Sequence, residues 1–270
     1  MSNELNAIVT HRVEVASGLI ILRVAPDGWD LPEWTAGQFA VLGMPAGAPR
    51  VEVADKEETP PKADRLIRRA YSIASGTGEK NYLEFYITLV HSGALTPRLF
   101  ALRPGDPVFL GKKISGMFTL DKVEADQNLV LVGTGTGLAP YMSMLRSELE
   151  IRPDRHIAVF QGARHSWDLG YRGELTAMQR ISPTFHYVPI ISRPKKELTP
   201  WGGQVGYVQD LLDRGLLEEF FGHAPAPDNT HFLLCGNPGM IEGMIERLAL
   251  NGFTEHTKKS PGQIHAEKYW

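Results

Sequence analysis

Gly133-Thr134-Gly135-Thr136-Gly137-Leu138-Ala139-Pro140 follows an apolar run over residues 128–132 and opens a helical pattern over 139–150. Strand, glycine loop and helix in that order make the phosphate-binding turn of a parallel α/β sheet, because backbone N–H groups at the helix start face an anion. The loop is not the usual dinucleotide fingerprint. Glycines stand at 133, 135 and 137, Leu138 occupies the place of the last fingerprint glycine, and the lysine of a P-loop is missing. On these residues alone, a plain glycine-rich turn is the other reading.

Downstream the pattern alternates. Strands are expected at 156–161, 185–191 and 231–235, and helices at 172–180, 205–214 and 239–250, the last stopped by Asn251-Gly252. Alternating strands and helices predict a parallel sheet covered on both faces. Cys235-Gly236-Asn237-Pro238-Gly239-Met240 again passes from strand to helix, and ligands of open α/β sheets bind beyond the carboxyl ends of strands. Cys235 therefore lies near any ligand on the Gly133 loop, although a lone cysteine is as often core filling.

Upstream the period changes. Short β-rich runs at 8–14, 19–24, 38–42, 70–73, 83–90 and 107–110, bounded by Gly, Pro and Asp, predict a small antiparallel barrel. The domain boundary is expected near 121–127, dividing the chain into residues 1–122 and 123–270. Residues 45–68, rich in Pro, Ala and charge, read as an exposed loop. Arg69-Ala70-Tyr71-Ser72 lies on one of the strands, where Arg69 and Tyr71 share a face. A guanidinium fork suits phosphate oxygens, a tyrosine ring suits a flat heterocycle, and Ser72 can line the edge of a bound ring. Four such residues also describe an ordinary surface strand. In Ser92-Gly93-Ala94-Leu95-Thr96-Pro97, Thr96 fits an N-cap and Pro97 the first helical position. That is a natural anion site or simply a capped helix; with Arg69 it forms a two-sided grip on one pyrophosphate.

Composition narrows the function. The 270 residues, 43% hydrophobic and 22% charged, suffice for two cores. A net charge of −3 gives no basic field for nucleic acid. One cysteine excludes an internal disulfide and a cluster held by four thiolates, and no metal site is expected. The N-terminus carries Glu4 and no apolar core of a signal peptide, and no apolar run is long enough to span a membrane. A cytoplasmic protein, with a monomer favoured, is the expectation. The tail, Ile264-His265-Ala266-Glu267-Lys268-Tyr269-Trp270, ends on two aromatics and is expected to dock rather than fray.

Together Arg69-Ala70-Tyr71-Ser72, residues 93–96, residues 133–140 and Cys235-Gly236-Asn237-Pro238, in that order and spacing, resemble the bacterial ferredoxin/flavodoxin–NADP(+) reductases along nearly the whole chain. The resemblance implies an N-terminal FAD-binding barrel and a C-terminal NADP-binding α/β domain. It implies FAD contacts at Arg69, Ala70, Tyr71, Ser72, Val90, Gly93, Leu95 and Thr96, with Tyr269 and Trp270 packing on the flavin nucleotide. NADP contacts are implied at Gly133, Thr134, Gly135, Thr136, Gly137, Arg164, Ser192, Arg193, Cys235 and Gly236. Ser72, Cys235 and Glu267 would shape the site of hydride transfer, and ferredoxin or flavodoxin would be the carrier. Lys62, Arg65, Arg68, Lys112 and Lys113 can form a local basic rim for it.

Two departures stand out. Gln204 occupies a place where relatives often carry a third arginine, for which Lys195 or Lys196 can compensate, and the 45–68 loop has no family role. The reductase component of an oxygenase system, with a separate iron–sulfur partner, is the alternative activity. A non-catalytic flavin-binding subunit is the alternative from another class.

Overall fold

The computed structural model describes residues 5–58, 62–148 and 155–268. By their contacts they form two compact units, Met1–Thr119 with Ala139–Ser147, and Leu120–Leu138 with Glu148–Trp270. Each holds a six-stranded sheet.

In the first unit, β1 (Ala7–Ala16), β2 (Leu19–Pro26), β3 (Phe39–Pro45), β4 (Leu66–Ser72), β5 (Leu83–Thr88) and β6 (Pro107–Leu110) pair antiparallel in the order β4-β3-β6-β1-β2-β5. Ser17-Gly18 turns β1 into β2, with Gly18 at a φ of 82° that a side chain would strain. The two end strands meet at the Ile73–Phe85 bridge, beside which the Ala74 N–H donates to Glu84 O at 2.7 Å. That contact closes the sheet into the expected barrel. Val9, Ile20, Leu22, Leu42, Phe85, Leu99 and Leu110 fill it.

The glycine loop leads into α2 (Ala139–Glu148), which groups with this first unit. Tyr141 tilts against Phe118 at 6.1 Å between ring centres. Arg146 donates to Ala74 O at 2.8 Å and pairs with the buried Glu84 at 2.7 Å, while Arg23 holds the other carboxylate oxygen at 2.8 Å. The short α1 (Thr96–Ala101) carries Pro97 in its first turn, but its N-cap is Leu95. Thr96 does not cap the helix. Its hydroxyl turns back to accept from Val90 N–H at 3.0 Å and to donate to Val90 O at 3.2 Å.

In the second unit, β7 (Asn128–Thr134), β8 (Ile157–Ala163), β9 (Phe185–Ile191), β10 (Gln204–Val205), β11 (Thr230–Gly236) and β12 (Ile264–Lys268) are parallel in the order β10-β9-β8-β7-β11-β12. β7, β8 and β11 read as continuous apolar runs because both sheet faces are covered. α3 (Arg172–Ile181), α4 (Leu216–Phe221) and α5 (Pro238–Ala249) supply helices around it. The chain winds outward from β7 through β8, β9 and β10, then returns to the other side of β7 as β11 and β12. The order reverses between β7 and β11, which is where such sheets bind ligands.

Three local features depart from expectation. In place of an α-helix over 205–214, the chain has the end of the two-residue strand Gln204–Val205 and then a 3-10 turn over Val208–Arg214. α4, which the sequence reading does not predict, follows Gly215 at a φ of 68°. Residues 264–268 form an edge strand, β12, in parallel register with β11. Among the described residues, no helix is long and apolar enough to cross a membrane.

Candidate functional site

At the switch point of the parallel sheet the strand ends form one row. Pairing places Pro189, Gln161, Gly133, Cys235 and Glu267 side by side across β9, β8, β7, β11 and β12. Cys235 is fully buried, with its Sγ 3.9 Å from Glu267 Oε2. Gln161, also buried, accepts from the Tyr187 hydroxyl at 2.5 Å and donates to Gly170 O at 3.2 Å.

Beyond the row the two loops interlock through backbone. A Cβ on Gly137 would lie 2.2 Å from Cys235 O, so the loop after β7 crosses directly over the end of β11. A Cβ on Gly236, whose φ is 132°, would lie 2.5 Å from Thr134 Oγ1. That hydroxyl accepts from the Asn237 N–H at 3.0 Å, and the Asn237 side chain caps α5 by accepting from Met240 N–H at 3.2 Å. Gly135, at a φ of 56°, has nothing within 4 Å of where a Cβ would be. At Gly135 the turn therefore offers backbone with open space beside it, which fits a pyrophosphate. Asn237 stood within the motif at 235–238 without a role of its own, although Asn before Pro at a helix start is a capping signal.

At the ends of β8 and β9, Arg193 N–H donates to Arg164 O and Ser192 N–H to Ala163 O, both at 3.0 Å. These bonds hold Arg164 and Arg193 on adjacent strand ends. Both are exposed, and neither guanidinium is in an ion pair among the described residues. Lys195 and Lys196 are exposed in the turn that follows. The Gln204 amide oxygen accepts from Arg214, whose other Nη donates to Val205 O at 2.9 Å. Gln204 thus presents no cation of its own, but a guanidinium is tied to it.

In the first unit, Arg69 and Tyr71 pair with the buried Leu42 and Ala40 and share a face of β4. Arg69 is exposed and donates to Arg68 O at 2.7 Å. The Tyr71 ring stands edge-on to Phe85 at 6.5 Å, and burial raises its phenol pKa, so it stays neutral. Ala70 is exposed and Ser72 buried. Gly93 closes a turn by donating to Val90 O at 2.8 Å, and a Cβ there would crowd Val90 O at 3.0 Å. Leu95 is buried beneath this turn. Glu57, not singled out by sequence, is bound to this region through Arg98 and Arg50. Tyr269 and Trp270 lie outside the described residues.

A parallel sheet with a glycine loop crossing its switch point is a nucleotide-binding arrangement, and residues 131–246 match the model of the oxidoreductase NAD-binding domain. The chain is 33% identical over 239 residues to the flavodoxin/ferredoxin–NADP reductase of Buchnera aphidicola subsp. Baizongia pistaciae, covering 88% of each chain. It is 32% identical over 238 residues to the protein of that name from Escherichia coli (strain K12), again covering 88% of each. The chain belongs to the flavodoxin/ferredoxin–NADP reductase family. In fold it is similar to a ferredoxin NADP+ reductase from Neisseria gonorrhoeae solved with bound FAD and NADP, with a TM-score of 0.80, 24% identity and 99% of each chain covered.

Proposed function

We propose that this chain is a flavoenzyme that exchanges electrons between NADP(H) and a small carrier protein, ferredoxin or flavodoxin, in the cytoplasm. Residues 1–122 hold FAD and residues 123–270 hold NADP(H). The observation that carries the reading is the crossing of Gly137 over the Cys235–Gly236 backbone, beside which Gly135 presents backbone to open space at the switch point. Family membership supplies the rest of the support.

FAD, when bound, supplies the conversion between two-electron hydride chemistry and one-electron transfer. The chain's own residues bind and orient. Arg69 and the turn containing Val90, Gly93, Leu95 and Thr96 hold the FAD pyrophosphate. Tyr71 offers a neutral ring to the flavin, with Ala70 beside it and Ser72 at the reacting edge. The family resemblance assigns Tyr269 and Trp270 to the FAD site. Backbone at Gly133, Thr134, Gly135, Thr136, Gly137 and Gly236 holds the NADP pyrophosphate, while Arg164, Ser192 and Arg193 bind the 2′-phosphate. Cys235 and Glu267 border the nicotinamide and keep water out; neither acts as a nucleophile. Lys62, Arg65, Arg68, Lys112 and Lys113 face the acidic carrier.

The purified protein is expected to show a flavin band near about 450 nm and to reduce a dye with NADPH. Absence of turnover with FAD bound would exclude the enzymatic reading. The alternative, an oxygenase reductase component, draws on the likeness to the Amycolatopsis cytochrome P450 reductase GcoB, 27% identical with a TM-score of 0.73, of which this chain covers 69%. Reduction of ferredoxin or flavodoxin at rates well above those with an oxygenase-type iron–sulfur protein separates the two.

A further inference from the structure

The connection from β3 to β4 runs from Pro45 to Leu66, too long for a hairpin loop without a task of its own. Its described part is fastened to residues 90–98. Val51 N–H donates to Pro97 O and Asp55 N–H to His91 O, each at 3.1 Å, and the His91 ring meets Val53 O at 2.8 Å.

The main fastening is Glu57. Its two carboxylate oxygens accept from Arg98 Nη1 at 2.9 Å and Nη2 at 2.8 Å, and Arg50 Nη1 shares the first at 2.8 Å. Arg98 is 2% exposed, an unusual burial for a guanidinium, and it is matched by this bidentate partner. Further N–H groups of both arginines bind backbone carbonyls. Arg98 takes Ala94 O at 2.5 Å and Ala46 O at 3.1 Å; Arg50 takes Gly93 O at 3.2 Å and Asp55 O at 2.7 Å.

The arrangement has an electrostatic consequence. The carbonyl oxygens of Gly93 and Ala94 point to guanidiniums inside the protein, so their negative ends are withdrawn from an anion beside the turn. The N–H groups of Ala94 and Leu95 have no acceptor among the described residues. Two guanidiniums against one carboxylate leave a net positive charge behind the turn, in a partly dry setting where charge is poorly screened. Without Glu57, two cations would face each other unneutralised and the turn would lose its support.

We propose that Glu57 is a positioning residue for the flavin phosphates: through Arg98 and Arg50 it sets the orientation of the Gly93–Ala94 peptides, and so the affinity of the turn for pyrophosphate. This rests on the proposed FAD site and assigns the 45–68 loop its task, a brace for that site.

The test compares full-length wild type with Glu57→Gln, titrated with FAD and with riboflavin, which shares the ring but lacks phosphate. The expected result is an FAD Kd raised roughly tenfold or more, with riboflavin affinity unchanged within about twofold. Unchanged FAD affinity, or a parallel loss for both flavins, overturns the proposal; the parallel loss marks a purely structural residue. Should Glu57→Gln not fold, Arg50→Gln decides, since it frees Gly93 O while leaving the Glu57–Arg98 pair. It must weaken FAD selectively, and a variant that does not overturns the proposal. Wild type that binds neither flavin would remove the flavin reading itself, whereas failure of the Glu57 proposal leaves tight wild-type FAD binding in place.

Discussion

Gly137 and Arg193, both assigned to the proposed NADP(H) site, contribute by different physics. Gly137 contributes an absence, since any Cβ would press on Cys235 O at 2.2 Å. Gly137→Ala is expected to cost about 1–3 kcal/mol of stability through overpacking and to weaken NADPH and NADH alike, because both carry the pyrophosphate. Thermal unfolding and nucleotide titration measure both effects. Arg193 contributes a charge held at the end of β9 by its backbone bond to Arg164. Arg193→Ala is expected to raise the KM for NADPH about tenfold and leave that for NADH nearly unchanged. Equal changes for the two would refute its 2′-phosphate role. Both residues were visible as motif letters. Asn237 and Glu57 were less so, since a cap and a buried ion pair are defined by partners far away in the chain.

At the level of elements, two ties have measurable consequences. Glu84 on β5 is buried between Arg23 on β2 and Arg146 on α2. Glu84→Gln leaves both cations unneutralised and is expected to cost about 3 kcal/mol, with the double variant Glu84→Gln/Arg146→Gln losing less than the sum of the singles. Denaturant unfolding of the set checks this. The second tie joins β11 to the edge strand β12, where His231 Nδ1 lies 2.9 Å from His265 Nε2. One ring must donate and the other accept, so the pair holds only while at least one ring is neutral. Burial, then the nearby His231 and His256, depresses His265 to about 4; burial, then Arg155 and His256, lowers His231 as well.

A histidine whose folded pKa lies below its unfolded value near 6.5 is protonated first in the unfolded chain. Stability from this pair is therefore complete above about pH 6.5 and is lost as the pH falls toward 4, by about 3 kcal/mol for His265. Melting temperatures between pH 7.5 and 5 should fall less steeply in His265→Gln than in wild type. An identical slope would show that the pair does not report acid stability. β12 itself was read only as a docked tail. Its five residues carry little strand signal, and it is a strand because β11 presents an unpaired edge.

For the whole molecule the proposed activity depends on charge distribution rather than net charge. The chain is net −3, yet Lys112 and Lys113 follow β6 as exposed cations, with Lys112 Nζ 5.2 Å from the Trp29 ring centre. Replacing both with alanine is expected to slow reduction of an acidic carrier several-fold at low salt, with convergence toward wild type at high salt and unchanged dye reduction. Stopped-flow reduction across ionic strength measures it, and a salt dependence equal to wild type would remove both lysines from the carrier site.

The barrel, the parallel sheet and the four motifs were legible because each depends on local period: alternation of two in half-buried strands, continuous apolar runs in covered ones, and glycine where backbone must turn or approach. What lay beyond the sequence is every relation between distant residues. Closure of the barrel at Ile73 and Phe85, the reversal of strand order between β7 and β11, and the fastening of Glu57 to Arg98 each join segments whose local patterns carry no record of one another. Sequence determined most of the strands and helices and where glycine lets the backbone turn, but not β10, α4 or β12. Tertiary structure decided that Gly137 crosses Cys235 and that Arg50 and Glu57 are tied to Gly93 and Arg98, because only packing selects which buried edges and charges become partners.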